Sequence, residues 1–260
     1  MTAFVVAVCS LLGLAVGSFL NVVIWRVPRK ESVVAPSSHC PSCDTPIAPR
    51  DNIPVLSWLV LRATCRHCGV SISARYPLVE LATGVLFALV ALRFDDSWAL
   101  PAYLVFSAAL LAVSIIDLEH YLIPNRVVYP VGSLLVPLFV LAAAGDDEWG
   151  SLARAMIGAV GAFSVMFVVH VISPRGMGFG DVRLSFLLGL GLGWLGWGEL
   201  LVGFFLGFLY GAVVGIGLIV TRLRTRKQHI PFGPFLAAGA LTMVLAGTPI
   251  LDWYRDLTGT

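Results

Sequence analysis

Eight long apolar segments constrain the fold of this sequence more than any other feature. Of its 260 residues, 58% are hydrophobic and only 12% are charged, whereas a soluble domain carries roughly 25% charged residues. A helix crosses a bilayer with about 20 consecutive, predominantly apolar residues. The composition therefore predicts an all-α polytopic membrane protein with about eight transmembrane helices. The segments lie at about 3–25, 77–93, 98–116, 127–144, 152–173, 183–197, 198–220 and 232–250.

The sixth and seventh segments form one continuous apolar stretch, so their division decides the topology. We divide them at 196–199, where two glycines and a glutamate interrupt the run. Seven spans would place the C-terminus on the opposite side. The first segment has no basic residue before it and is followed by Arg26, Arg29 and Lys30. This pattern indicates a retained span rather than a cleaved signal peptide, with the N-terminus outside.

The basic residues predict the orientation of the chain. In the eight-span arrangement, 14 of the 17 Lys and Arg residues fall on the side that holds the loop after the first span. Basic loops remain cytoplasmic, so this loop is expected on the cytoplasmic side of the membrane. The cluster at 222–227 is interpreted as an orientation anchor in contact with anionic lipid. Nothing in the charge pattern indicates nucleic acid binding.

One loop, from Arg26 to Tyr76, is large enough to form a domain. The predicted organisation is a first transmembrane helix at 1–25, a cytoplasmic domain at 26–76 and a helical membrane domain at 77–260. Inside the loop, the apolar segment 53–61 is too short to cross a membrane as a helix. It is expected either to form a small core or to lie on the membrane surface.

Two Cys-x-x-Cys pairs lie in this loop, and 21 residues separate them. Two such turns form a closed tetrahedral site of the zinc-ribbon type, so Cys40, Cys43, Cys65 and Cys68 are predicted to bind a structural zinc ion. Disulfides are the alternative, but a cytoplasmic loop is kept reduced. A redox pair lacks its βαβ context. Cys9 lies within the first span and is interpreted as a small buried residue.

Two aspartates at the ends of apolar segments are the candidate catalytic residues. Asp117 closes the third segment, and Asp181 precedes the sixth, so both are predicted on the cytoplasmic side. Carboxylates near the hydrocarbon region are costly and are often functional. If the two side chains are adjacent, they would share a proton, and one could activate water while the other protonates a carbonyl oxygen. Singly, each could instead be a helix cap or an ion-pair partner of a nearby arginine.

Glycines precede the second aspartate and support the same hypothesis. Gly178 and Gly180 would permit a close backbone approach and unusual φ/ψ values before Asp181. The segment 123–125 contains a proline and is predicted to be a turn after Asp117. His170, within the fifth segment, is expected to be a hydrogen-bonded interior residue.

The order of short motifs along nearly the whole chain resembles that of the type IV prepilin peptidases, which are bifunctional leader peptidases and N-methyltransferases. The motifs are Gly17-Ser18-Phe19-Leu20-Asn21, Arg26-Val27-Pro28, the two cysteine pairs, Asn52-Ile53-Pro54, Ser57-Trp58-Leu59, Arg75-Tyr76-Pro77-Leu78-Val79-Glu80, the segment from Asp117 through Pro124, Gly178-Phe179-Gly180-Asp181 and Pro231-Phe232-Gly233-Pro234-Phe235. Two positions depart from the pattern: Asn125 replaces a frequent aspartate, and Arg183 replaces a lysine.

The resemblance implies a multi-pass aspartic peptidase of the GxGD type in the bacterial inner membrane, with Asp117 and Asp181 as the catalytic pair and 77–260 as the peptidase domain. Its substrates would be prepilins or the pseudopilins of type II secretion, cleaved on the cytoplasmic side after a glycine that ends a basic leader. The cysteine domain would be associated with N-methylation of the new N-terminal residue, and S-adenosylmethionine would be the methyl donor.

Three alternatives remain open at this stage. The protein could be a peptidase only, with a structural zinc domain. It could belong to another class, such as a transporter or scaffold whose carboxylates bind cations. A presenilin-type protease shares the second motif, but it lacks the cysteine loop. The sequence gives no oligomeric state.

Overall fold

The computed structural model describes residues 2–174, 176–222 and 230–258. Arg175 and most of the basic cluster predicted at 222–227 lie outside these ranges. Within them the protein is helical, with two isolated β-bridges and no strand. A short 3₁₀ helix spans Pro49–Asp51. The α-helices are α1 Thr2–Arg26, α2 Leu56–Val60, α3 Arg75–Phe94, α4 Leu100–His120, α5 Asn125–Asp146, α6 Trp149–Ile172, α7 Phe179–Leu195, α8 Trp197–Val220 and α9 Gly233–Thr258.

The chain divides into two compact units, residues 1–95 and 96–260. In the first unit, α1 and α3 pack closely because glycines line their contact. A Cβ at Gly13 would lie 2.7 Å from the carbonyl oxygen of Thr83, and such small residues let membrane helices approach each other. The loop between these helices carries the four cysteines.

The apolar segment predicted at 53–61 forms only the short helix α2. Leu56, Leu59 and Val60 are 60%, 57% and 75% exposed. Such exposure excludes a small core at these positions. The alternative, that this segment lies on the membrane surface, stays a prediction.

In the second unit, α7 is the central helix and packs against α4, α5, α6, α8 and α9. Its residues from Leu187 to Trp194 are all buried. Glycine again permits the closest contact, since a Cβ at Gly158 of α6 would lie 2.9 Å from the carbonyl oxygen of Gly189 of α7. The helix that carries Asp181 is therefore surrounded by protein.

The predicted fold class is confirmed, because seven of the described helices are long and apolar enough to cross a membrane. The eighth, α7, has 17 residues and a length of about 26 Å. The division near 196–199 is also confirmed, since α7 ends at Leu195 and α8 begins at Trp197. Arg154 of α6 stabilises this end of α7 by donating to the carbonyl oxygens of Gly193 at 2.8 Å and Trp194 at 2.7 Å.

Candidate active site and metal centre

Asp117 lies in the last turn of α4, where the chain leaves the helix. Tyr121 ends the helix with a left-handed φ of 55°, and its N–H donates to the Asp117 carbonyl oxygen at 2.9 Å. The Asp117 side chain is only 5% exposed. Its Oδ2 accepts a hydrogen bond of 3.0 Å from the backbone N–H of Gly233, the first residue of α9. One carboxylate oxygen is thus fixed by another helix.

Asp181 is the third residue of α7, whereas the sequence placed it before the helix. The helix begins earlier because Gly178 takes the extended conformation of an N-cap, with φ −71° and ψ 147°, and accepts the Asp181 N–H at 3.1 Å. The Asp181 side chain is 7% exposed. Its Oδ1 has no hydrogen-bond partner among the described residues. A carboxylate in the first turn of a helix is stabilised by the helix dipole.

The structure brings the two predicted aspartates together at one end of the second unit. The two carboxyl groups are close enough to interact electrostatically. Ile123 packs beside Gly180, which precedes Asp181, and beside Gly233, whose N–H bonds to Asp117. A Cβ at Gly180 would lie 2.9 Å from Ile123 Cβ, and a Cβ at Gly233 would lie 3.1 Å from Ile123 Cδ1. At the turn predicted for 123–125 the structure has an irregular connection from α4, which ends at His120, to α5, which starts at Asn125.

The two glycines before Asp181 differ in their roles. The expected unusual φ/ψ values are absent at both glycines. Gly178 has an extended backbone conformation that any residue could adopt, and Gly180 is helical. The expected close approach is present at Gly180, where Ile123 leaves no room for a side chain. At Gly178 the atom nearest to an added Cβ would be Asp181 Oδ2, at an ordinary 3.4 Å. Gly180 is therefore the glycine that the packing requires.

His170 connects α6 to the loop before the second aspartate. Its Nδ1 lies 2.8 Å from the carbonyl oxygen of Met177, and its ring packs 5.5 Å from the ring of Phe179. The sequence predicted a hydrogen-bonded interior histidine, but its partner could not be inferred. This contact fixes the residue that precedes Gly178.

Sequence reasoning missed the contact between Gly233 and Asp117. The C-terminal Pro-Phe-Gly-Pro-Phe motif was recognised only through the family resemblance. Two prolines around a glycine indicate a helix start, but they give no information on which helix end lies opposite. A partner 116 residues away leaves no local signal in the sequence.

The four loop cysteines come together as predicted. Cys40, Cys43, Cys65 and Cys68 place their Sγ atoms within 4.8 Å of one another, and the Cys40 to Cys68 distance is 3.7 Å. Four sulfurs around a zinc ion at about 2.3 Å would be separated by about 3.8 Å. All four are free thiols, as is Cys9, which is buried in α1. The donor set and spacing fit a closed tetrahedral metal site.

The two Cys-x-x-Cys turns have the same backbone hydrogen bonds. In the first, the Cys40 N–H donates to Thr45 and the Cys40 carbonyl accepts from Asp44. In the second, the Cys65 N–H donates to Val70 and its carbonyl accepts from Gly69. Each turn is closed by one β-bridge, His39 to Pro46 and Thr64 to Ser71. The matching turns present their thiols to each other.

Hydrogen bonds within the cluster favour thiolates at two positions. The side chain and backbone of Thr45 lower the pKa of Cys43 to about 6. The backbone N–H of Cys68 lowers the pKa of Cys65. The Val70 N–H favours the thiolate of Cys68, but burial and the neighbouring cysteines raise its pKa to about 11. Because adjacent thiolates repel one another, a divalent cation would stabilise the fully ionised set.

Two family models match the chain. The family described as Bacterial Peptidase A24 N-terminal domain matches residues 11–94. The Type IV leader peptidase family matches residues 104–216. The first match covers the cysteine loop with α1 and α3, and the second covers both aspartates.

Similar curated proteins carry the name prepilin leader peptidase/N-methyltransferase. The protein of Aeromonas salmonicida strain A449 is 36% identical over 94% of this chain and 91% of its own length. The protein of Pseudomonas aeruginosa is 37% identical over 96% of this chain and 93% of its own length. The protein of Bacillus subtilis strain 168 is 35% identical over 93% of this chain and 94% of its own length. No solved structure matches the chain.

Proposed function

Because the chain belongs to the type IV leader peptidase family, we propose that it is a membrane aspartic endopeptidase that removes the leader of prepilins and pseudopilins. Its relatives also support an N-methyltransferase activity. The observation that carries the aspartic mechanism is the meeting of two buried carboxylates, Asp117 and Asp181, from different helices.

The geometry supports general acid–base hydrolysis without a nucleophilic side chain. Two adjacent carboxylates share one proton, since like charges in a buried site do not both ionise. The ionised aspartate takes a proton from water, and the oxygen of that water attacks the scissile carbonyl carbon. The protonated aspartate donates to the carbonyl oxygen. Collapse of the intermediate breaks the C–N bond and leaves a carboxyl group and a free amine.

Gly233 and Gly180 support this chemistry by positioning the carboxylates. The Gly233 N–H occupies Oδ2 of Asp117, so Oδ1 is the oxygen that can face water or substrate. At Asp181, Oδ1 has no partner in the described chain, and it is suited to the second proton transfer.

We place the cleavage site on the cytoplasmic side of the inner membrane. The positive-inside distribution of the arginines supports this orientation, and a basic leader would stay on the same side. Cleavage after a glycine that ends such a leader would leave the apolar pilin segment in the bilayer.

The methyltransferase part of the proposal assigns the cysteine loop a structural zinc ion and S-adenosylmethionine as methyl donor. Four thiol ligands leave no open metal position for a substrate. The metal would therefore hold the loop rather than take part in catalysis. If the protein is a peptidase only, labelled S-adenosylmethionine will leave no methyl group on cleaved pilin.

Substitution of the two aspartates tests the proposed peptidase. Prepilin cleavage would be measured in proteoliposomes for wild type, Asp117→Asn and Asp181→Asn. Asn keeps the size of the side chain but cannot transfer the proton, so each variant should lose about 10²- to 10⁴-fold in rate. Asp252→Asn is the matched control, because Asp252 is exposed and pairs with Arg255 within α9.

The outcomes separate the alternatives. If either aspartate variant cleaves prepilin at the wild-type rate, the substituted aspartate has a structural role rather than a catalytic one. Absence of cleavage by the folded wild-type protein would favour a cation-binding transporter or scaffold.

A further inference from the structure

A cavity of about 1020 Å³ lies within the first unit, between α1, the N-terminal part of α3 and the cysteine loop. We call it the α1–α3 cavity. Asn21 and Arg26 of α1, Glu80 of α3 and the metal-site residue Cys40 line its wall. Ligand sites have volumes of roughly 300 to 1,000 Å³, so the cavity is large enough for a small-molecule substrate.

Asn21 provides an acceptor without a partner. The residue is 4% exposed, and its Nδ2 donates to the carbonyl oxygens of Tyr76 at 3.1 Å and Gly17 at 3.3 Å. Its Oδ1 has no hydrogen-bond partner among the described residues. Buried polar atoms in native proteins are nearly always paired. An N–H group of a ligand would satisfy this oxygen.

Buried charges of both signs lie in the same wall. Arg26 and Glu80 are each 8% exposed. Glu80 is held in place because its Oε2 accepts the Val55 N–H at 2.7 Å, and Arg26 donates to the Ser32 carbonyl oxygen at 3.0 Å. Two fixed charges of opposite sign suit a zwitterion, whose carboxylate and ammonium groups would face Arg26 and Glu80.

Aromatic rings complete the lining. Trp25, Trp58 and Tyr76 border the cavity. Trp58 is oriented by its Nε1–H, which donates to the Ile72 carbonyl oxygen at 3.0 Å. Aromatic faces stack on nucleobases and attract cations.

From these features we propose that the α1–α3 cavity is the binding site of the methyl donor, S-adenosylmethionine. This inference rests on the methyltransferase part of the proposed function. The donor combines an amino acid zwitterion, a sulfonium cation and an adenine ring, and the wall offers a complementary group for each. Arg26 and Glu80 bind the zwitterion, the Trp58 ring binds the adenine and the sulfonium, and Asn21 accepts an N–H.

An adjoining cavity of about 390 Å³ would let the methyl acceptor, the N-terminal residue of cleaved pilin, reach the methyl donor. It shares Ser18, Val22 and Arg26 with the larger cavity and is also lined by the apolar Phe19 and Val34. This lining suits an apolar N-terminal residue.

The amine lone pair attacks the methyl carbon, and the S–CH₃ bond breaks with its electrons on sulfur. The methylated nitrogen then releases a proton to water.

Photolabelling of the full-length protein locates the donor directly. Wild-type protein in detergent would be irradiated with labelled S-adenosylmethionine, and the labelled peptides would be identified by mass spectrometry. The label is expected within residues 18–80. Labelling confined to residues 96–258, or no specific labelling, would overturn the proposal without affecting the peptidase.

Two variants measure the contribution of the wall. Equilibrium binding of S-adenosylhomocysteine should weaken at least about tenfold in Asn21→Leu and in Glu80→Gln, since each loses one polar contact. Glu80→Gln keeps an oxygen for the Val55 N–H, so the loop should stay in place. Ser10→Ala, on the same helix, should bind normally because Ser10 donates only to Val6 of its own helix.

Prepilin cleavage by the same preparations separates this proposal from the peptidase. We expect cleavage within about twofold of wild type in all three variants, which also shows that they are folded. Unchanged affinity in both wall variants would refute the site. Donor binding as expected without methylation of cleaved pilin would instead refute the proposed methyltransferase function.

Discussion

The backbone N–H of Gly233 donates a hydrogen bond of 3.0 Å to Oδ2 of Asp117, although 116 residues separate them. The start of α9 thus fixes the end of α4. A carboxylate that must transfer a proton to or from water needs a defined orientation, and this bond determines which oxygen remains available.

We expect Gly233→Ala to lower the rate of prepilin cleavage by about 10²-fold. The added Cβ would lie 2.8 Å from Asp117 Oδ2 and 3.1 Å from Ile123 Cδ1, so the carboxylate must move. A displacement of about 1 Å is enough for such a loss. The steady-state rate of prepilin cleavage in proteoliposomes measures this loss. Gly217→Ala in α8 is the control, because nothing lies within 4 Å of its Cβ. Equal rates for the two variants would show that the Gly233 contact is dispensable.

The two glycines near Asp181 should respond differently to the same change. Gly180→Ala places a methyl group 2.9 Å from Ile123 Cβ, whereas Gly178→Ala makes only an ordinary contact of 3.4 Å. Cleavage should fall at least about tenfold in the first variant and less than about threefold in the second. The double variant Gly180→Ala/Ile123→Gly should recover activity, since glycine lacks the Cβ that makes the 2.9 Å contact. A larger loss at Gly178 than at Gly180 would contradict the packing argument.

His170→Leu should lower kcat more than it raises KM. The variant loses the 2.8 Å contact with the Met177 carbonyl oxygen, which holds the loop before Asp181, and no substrate contact is expected to change. A loss of about tenfold in kcat is in line with misplacement of a catalytic group. Ser164→Ala on the same helix is the control, since Ser164 donates only to Val160. A change confined to KM would indicate a role in substrate binding instead.

Metal content should distinguish the four loop cysteines from the fifth. Purified wild-type protein is expected to contain about one zinc ion per chain. Cys68→Ser should lose most of it, because one of the four clustered ligands is removed. Cys9→Ser should retain it, since Cys9 lies in α1 and outside the cluster. Elemental analysis gives the stoichiometry. If Cys68→Ser and Cys40→Ser, each as a single variant, both retain zinc, the four-thiol site is refuted.

The helices and the cysteine cluster followed from local sequence signals. Runs of apolar residues predict spans directly, and the two glycines near 196–199 located the break between α7 and α8. Each Cys-x-x-Cys turn is closed by hydrogen bonds within six residues, so its spacing was sufficient to predict it.

The assembly of the acidic site did not follow from the sequence. Apolar periodicity is weak in helices that are buried on all sides, as α7 is, and it does not show which helices are neighbours. The proximity of Asp117 and Asp181 therefore required the structure. The same holds for Asn21, whose unpaired oxygen is defined only by the packing of α1 against α3.

The short length of α7 has a consequence for how water could reach Asp181. Its 17 residues span about 26 Å, less than a hydrocarbon core of about 30 Å. Because neighbouring helices shield it, α7 does not have to match the thickness of the bilayer, as a lipid-exposed helix must. The proposed hydrolysis consumes water at Asp181, in the first turn of this helix. A helix that stops short of the full bilayer shortens the distance that this water must travel.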